Sequence, residues 1–152
     1  MMITPAFKEQ LLQACKKIIH ERIENANHAM NAAQEAANGE DKSSAGDKYE
    51  TSRAMGHRDR DMYARQLVEA KNEWQKLDKI NLEPSSLIKA GSLIEVNEIL
   101  YFIASGIGKL EINGQVVMVI SKESPIANLM VNKKINDNFS FNGKLLKITS
   151  LI

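Results

Sequence analysis

Aromatic side chains are scarce in this sequence. Four Phe, three Tyr and one Trp make up 5% of 152 residues, although 43% are hydrophobic. A compact core of this length ordinarily holds more, so much of the chain is not expected to be packed as a globule. Cys15 is the one cysteine, which excludes an internal disulfide and any multi-cysteine metal site and suits a reducing, cytoplasmic setting. Neither sign of charge is in surplus: 20 basic and 19 acidic side chains leave +1. That balance excludes a generic polyanion binder, which needs a basic face. No apolar run reaches the ~18–20 residues of a membrane span, and the N-terminus lacks the basic stretch and apolar core of a signal peptide. No membrane association is expected. The length fits one ordinary domain, or two small units with thin cores.

What is present divides near Pro84. Before it stand 13 basic and 14 acidic residues, after it 7 and 5. The first part is rich in Ala, Gln, Glu, Lys and Arg, all good helix formers, with Pro5 and Pro84 at its edges. The second is rich in Ile, Val, Leu, Asn and Gly, the composition of short strands and turns. Asn81–Ser86 reads as a linker. It separates a helical region, 1–82, from a strand-rich region, 86–152.

In the first region Leu12, Cys15, Ile19, Ile23, Ala26, Met30, Ala33 and Ala37 recur in steps of three and four, one stripe on one helix face. Thr4 supplies an N-cap and Pro5 the first helical position; Asn38–Gly39 fits the C-terminal stop. A second stripe runs through Tyr63, Leu67, Ala70, Trp74 and Leu77. The polar stretch of about 39–46 is short enough to reverse the chain, and Ser44 or Asp47 can cap the returning helix. Two helices of roughly 33 residues, each about 50 Å long, cannot bury narrow stripes in a small globule. An antiparallel coiled-coil hairpin with a polar tip buries them. Toward the tip the stripes give way to small residues and the charged run His57–Asp61, which reads as a solvated face with ion pairs worth ~0.2–0.5 kcal/mol each.

The second region reads as strands at Leu93–Val96 and Ile99–Ala104, then two hairpins. Lys109–Ile112 and Gln115–Ile120 flank Asn113–Gly114; Phe139–Phe141 and Lys144–Ile148 flank Asn142–Gly143. Asn-Gly is the strongest two-residue hairpin signal. Ser124 and Pro125 open one short helix reaching about Val131. The expectation is α+β: a small antiparallel sheet with one short helix across it.

The run Ser124-Pro125-Ile126-Ala127, then Leu129, Met130, Lys133, Lys134 and Asp137, then a strand, a Gly turn and a terminal strand, resembles the C-terminal signature of Gre-type (GreA/GreB) bacterial transcription elongation factors. The order of parts matches that family over essentially the whole chain. The resemblance implies an N-terminal antiparallel coiled coil and an FKBP-like C-terminal domain. It also implies a partner, RNA polymerase. The C-terminal domain docks at the rim of the polymerase secondary channel, and the coiled-coil tip reaches the active site and, through it, the nascent RNA. Tip carboxylates there help hold a second Mg²⁺ and a water, so the polymerase's own site hydrolyses backtracked RNA. On this reading the protein is not itself an enzyme, has no cofactor of its own, holds no stable metal in isolation and works as a cytoplasmic monomer.

The family's tip reads Gly, Asp, two intervening residues, a second acid, Asn and Ala. Gly39, Glu40, Asp41, Lys42, Ser43, Ser44 and Ala45 occupy that stretch. Glu40 or Asp41 stands for the first acid. The second falls on Ser43 or Ser44, whose uncharged hydroxyl binds a hard cation poorly. Asp47 and Glu50 lie one to two turns further on, and Tyr49 meets the family's following tyrosine with an offset of one residue. At the docking end, Glu123-Ser124-Pro125 resembles the turn that family members place against the polymerase, with Glu123 the charged contact.

Each of these residues has a plainer role open to it. Tip acids also serve as solvated caps, Asp47 as an N-cap, and Ser124–Pro125 as a helix opening; the cap and docking roles can coexist. His20, His28 and His57 are scattered along the hairpin and read as surface residues rather than a metal set. Cys15, Tyr63 and Trp74 read as packing residues. Three further readings stand beside cleavage stimulation. One is a channel-binding modulator or inhibitor without cleavage, and another a coiled-coil adaptor unrelated to polymerase. A prolyl isomerase is disfavoured because fold does not carry function and the second region offers only Tyr101, Phe102, Phe139 and Phe141 for an aromatic pocket.

Overall fold

The computed structural model describes residues 3–40 and 46–152, with side chains at 3–38, 51 and 53–152. Two long helices, α1 (Pro5–Glu40) and α2 (Gly46–Asp78), precede β1 (Leu93–Val96), β2 (Ile99–Ile103), β3 (Gly108–Ile112), β4 (Gln115–Ile120), α3 (Pro125–Met130), β5 (Asn138–Phe141) and β6 (Lys144–Leu151). The chain packs as two compact units: residues 17–75, and residues 1–16 together with 76–152.

The first unit is helical and antiparallel. Ala37 meets Gly56, Gln34 meets Arg60, and His20 lies 6.0 Å from the Trp74 ring, so residues rising along α1 meet residues falling along α2. The expected stripes are the packed faces: Ile19, Ala26, Ala37, Leu67 and Ala70 are buried, and Ile23, Met30, Tyr63 and Trp74 half-buried. Small residues permit a close approach; a Cβ on Gly56 would stand 2.9 Å from Ala37 Cβ. The charged run is not wholly solvated. Arg60 is half-buried, donates to Gln34 Oε1 at 2.9 Å and pairs with Asp61 at 2.6 Å. That contact, a hydrogen bond from Arg60 first and the Arg60 charge as well, holds the Asp61 carboxyl below its usual range.

The second unit carries the sheet, ordered β3-β4-β2-β1-β6-β5. Strand positions follow the expectation to within a few residues, and α1 runs to Glu40, just past the expected stop at Gly39. Asn113–Gly114 and Asn142–Gly143 both have positive φ, as two-residue hairpin turns demand (53° and 77°; 52° and 78°). The sheet departs from the expected all-antiparallel pairing in one place, because β2 and β4 run parallel. The cause lies in the side chains. β4 is apolar with Val117 and Val119 buried, so it takes an interior place; β3 alternates exposed Lys109 and Glu111 and takes the edge. The β3–β4 hairpin therefore inserts its second strand beside β2.

Both sheet faces are covered. Ile94, Val96, Ile103 and Ile148 pack with Ala127 and Met130 of α3, Phe139 and Ile88. Leu93, Leu100, Phe102, Val117 and Val119, offset by one residue along their strands, are buried too. The first turns of α1 belong to this unit. There Thr4 Oγ1 accepts from Phe7 N–H at 3.1 Å, Pro5 begins the helix, and Phe7, Leu11, Leu12 and Cys15 are buried. Gln10 accepts from Asn113 at the β3–β4 turn (3.1 Å). No helix among the described residues is long and apolar enough to cross a membrane.

Candidate functional site

The corner formed by residues 121–125 belongs to the sheet-bearing unit. Ser124 is extended (φ −65°, ψ 152°) and accepts from Ala127 N–H on its hydroxyl at 3.3 Å, while Pro125 stands in the first turn of α3. Ser124 N–H in turn donates to Ser121 O at 3.1 Å. The local sequence therefore fixes the corner as a helix cap, whatever else it does. Glu123 projects from it: its side chain is 66% exposed, and Oε1 lies 3.9 Å from Lys76 Nζ. A surface pair of that kind is worth ~0–1 kcal/mol, so Glu123 gives it up readily to another cation. Glu123 O accepts from Asn128 Nδ2 at 3.3 Å, which steadies the backbone beneath the carboxylate.

The rest of the signature is structural. Asp137 Oδ2 accepts from Lys134 N–H at 2.9 Å, and its backbone pairs with Ile148 ahead of β5. Lys133 O accepts from Ile88 N–H at 2.8 Å, tying the segment after α3 to the chain entering the sheet.

Beside the corner opens a cavity of about 390 Å³, lined within this one unit by Lys76, Lys79, Ile80 and Asn81 at the end of α2, by Lys89 and Ala90, by Ala104 after β2, and by Lys122 and Glu123. Its frame is tight. Gly91, at φ +91°, approaches Asn81 so closely that a Cβ there would stand 2.5 Å from Asn81 O. Gly91 N–H donates to Ile103 O at 2.8 Å and Ala104 N–H to Ile120 O at 2.9 Å. A fifth lysine lies near. Lys8 is buried (1% exposed) and donates to Leu82 O at 3.0 Å. Burial first, then the charge of Lys89, pulls its ammonium below the ordinary lysine range, against an opposing pull from Glu83.

The structure thus brings Glu123, Ser124 and Pro125 together. The tip lies outside the described residues. This applies to Asp41, Ser43 and Ser44 entirely and to the side chains of Glu40, at the end of α1, and of Asp47 and Glu50 in α2. Among the described residues no group of three or more His, Cys, Asp or Glu is placed to hold a metal ion. His20 is instead within 3.1 Å of Glu24.

Sequence reasoning missed the lysine cavity. Lys76 and Lys79 have helical spacing, but Lys89 and Lys122 meet them only through the sheet, and no local pattern announces that. It also missed Lys8, a charged residue between the buried Phe7 and Leu11, where the apolar face is wider than a single stripe.

No family model matches the sequence, and no curated protein matches it. Solved structures are similar to it, two of them as follows. The transcription factor Gfh1 aligns with a TM-score of 0.39 and 11% identity over 91% of this chain and 93% of that one. The GreA factor homolog 1 (Gfh1) protein of Thermus thermophilus aligns with a TM-score of 0.35 and 12% identity over 90% and 94%.

Proposed function

We propose that this protein is a transcription regulator that binds RNA polymerase at its secondary channel, docking through Glu123, Ser124 and Pro125. The observation that carries the reading is the Glu123–Pro125 corner. An exposed carboxylate is held on a capped helix opening, inside a run of residues resembling the Gre-type signature, in a chain whose other unit is an antiparallel helical hairpin. In this reading Glu40 and Asp41 supply carboxylate oxygens, a ligand type suited to a magnesium ion held by the polymerase. The polymerase, not this chain, carries out any RNA hydrolysis.

Co-purification from lysate with polymerase subunits tests the docking. Glu123→Lys, which reverses the exposed charge, should weaken capture at least tenfold, about 1.4 kcal/mol, and Pro125→Ala should weaken it less. Capture unchanged by both substitutions overturns the reading. A second reading, binding without cleavage, is favoured by one observation: Ser43 and Ser44 stand where the family has its second tip acid. Halted, backtracked complexes discriminate the two. Release of short 3′ RNA fragments that is lost with Glu40→Ala plus Asp41→Ala supports cleavage. Binding without fragments makes the protein a modulator or inhibitor competing for the same channel.

A further inference from the structure

The lysine cavity has no part in the docking reading beyond sharing Glu123, and its composition calls for an occupant of its own. Four lysines and one glutamate line it, a formal charge of +3 in a chain whose total is +1. Like charges gathered around a concavity repel one another. Four separate chain segments supply the lining, and the closely fitted Gly91–Asn81 contact and the Ala104–Ile120 hydrogen bond hold them in place. The cavity is therefore pre-formed rather than assembled by flexible side chains alone.

Its size falls in the range of small-molecule pockets, which combine an apolar lining with a few convergent polar groups. Here Ile80, Ala90 and Ala104 are the apolar part, and Lys76, Lys79, Lys89 and Lys122, with Asn81 and Glu123, are the polar residues. All four lysines are donors of one sign, which fits an anion with several charged oxygens better than a single carboxylate. Lysine ammoniums bind phosphate as point charges, without the planar fork that carboxylate recognition by arginine uses.

We infer that this cavity binds a small molecule bearing two or more linked phosphate groups, with the lysines on its phosphate oxygens and any apolar moiety against Ile80, Ala90 and Ala104. Binding displaces the weak Lys76–Glu123 pair and does not require polymerase. Pyrophosphate, ATP and adenosine, titrated into the full chain and followed by amide chemical shifts, test this. Pyrophosphate and ATP should give saturable shifts at residues 76–81, 89–91, 104 and 122–123, weakened by added salt, and adenosine should give none. Lys89→Gln with Lys122→Gln should weaken ATP binding at least tenfold with unchanged circular dichroism. Lys144→Gln, at the start of β6, should leave it unaltered. The inference is overturned if neither phosphate compound gives saturable shifts, if the double variant binds as the wild type does, or if Lys144→Gln weakens binding equally. Because no polymerase is present, these outcomes are independent of the docking test above.

Discussion

Replacing Gly56 by Ala sets helix propensity against packing in the hairpin unit. In an open helix Gly→Ala gains ~0.8–1.0 kcal/mol. At position 56 the new Cβ would stand 2.9 Å from Ala37 Cβ and 3.2 Å from Ala37 Cα. Ala37 is 1% exposed and has no side-chain torsion with which to move aside, so the two helices must part locally. Overpacking of this kind costs ~1–3 kcal/mol. The packing cost outweighs the propensity gain, and Gly56→Ala should destabilise by up to ~2 kcal/mol.

The partner substitution turns this into a closed test. Ala37→Gly alone should cost ~1 kcal/mol in propensity while opening the space. In that background Gly56→Ala recovers its ordinary gain, so the double variant should lie near the wild type. The coupling energy is then the packing cost itself, ~1–3 kcal/mol. Urea unfolding of the four proteins, followed by helical circular dichroism, measures it. A gain of ~1 kcal/mol for Gly56→Ala in both backgrounds, with coupling below ~0.3 kcal/mol, would refute the close approach of the helices.

Gly91→Ala combines an unfavourable φ of +91° with a contact of 2.5 Å to Asn81 O; it should cost about 2–5 kcal/mol in urea unfolding, and a loss below ~0.5 would contradict the geometry. Glu98 sits at φ 67° in the Asn97–Glu98 turn, a conformation that costs a non-glycine residue ~1–2 kcal/mol. Glu98→Gly should therefore raise stability by ~0.5–1 kcal/mol after glycine's own entropy is set against it, and a lowered melting temperature would count against it. Cys15 is fully buried, and burial pushes its thiol up to about 12. Disulfide reagents at mildly alkaline pH should label it only as fast as the surrounding structure opens, with full reaction in denaturant; rapid native labelling would show an accessible thiolate.

The elements legible in the sequence were those set by local rules. The 3–4 spacing gave the hairpin faces from Ile19 to Leu77, Thr4–Pro5 gave the start of α1, and two Asn-Gly pairs gave the hairpins. The strand bounds left Asn97–Glu98 between β1 and β2, but the positive φ of both residues escaped because Glu is unusual in that conformation. The parallel β2–β4 pairing escaped because strand direction depends on which strand competes best for an interior position, a comparison between Val117, Val119 and the charged Lys109 and Glu111 rather than a local signal. For the site, Glu123, Ser124 and Pro125 are contiguous and could be read directly. The lysines of the cavity are contributed by segments up to 46 residues apart, from Lys76 to Lys122, and only the folded sheet brings them together.

The balance of charge that excluded a polyanion binder conceals how that charge is distributed. If the cavity lining carries +3 of a total of +1, the remaining residues carry −2. At physiological salt a charge is felt over only about 8 Å, so what a ligand meets is the local sum and not the total. A long nucleic acid laid across the surface meets both signs and gains little. A small phosphate compound that enters the cavity meets a lining that includes four lysines and one glutamate, and the glutamate is held by a weak surface pair. Near-neutrality therefore excludes unspecific nucleic-acid binding and small-anion binding to very different degrees, and the fold, by collecting Lys76, Lys79, Lys89 and Lys122 around one concavity, decides between them.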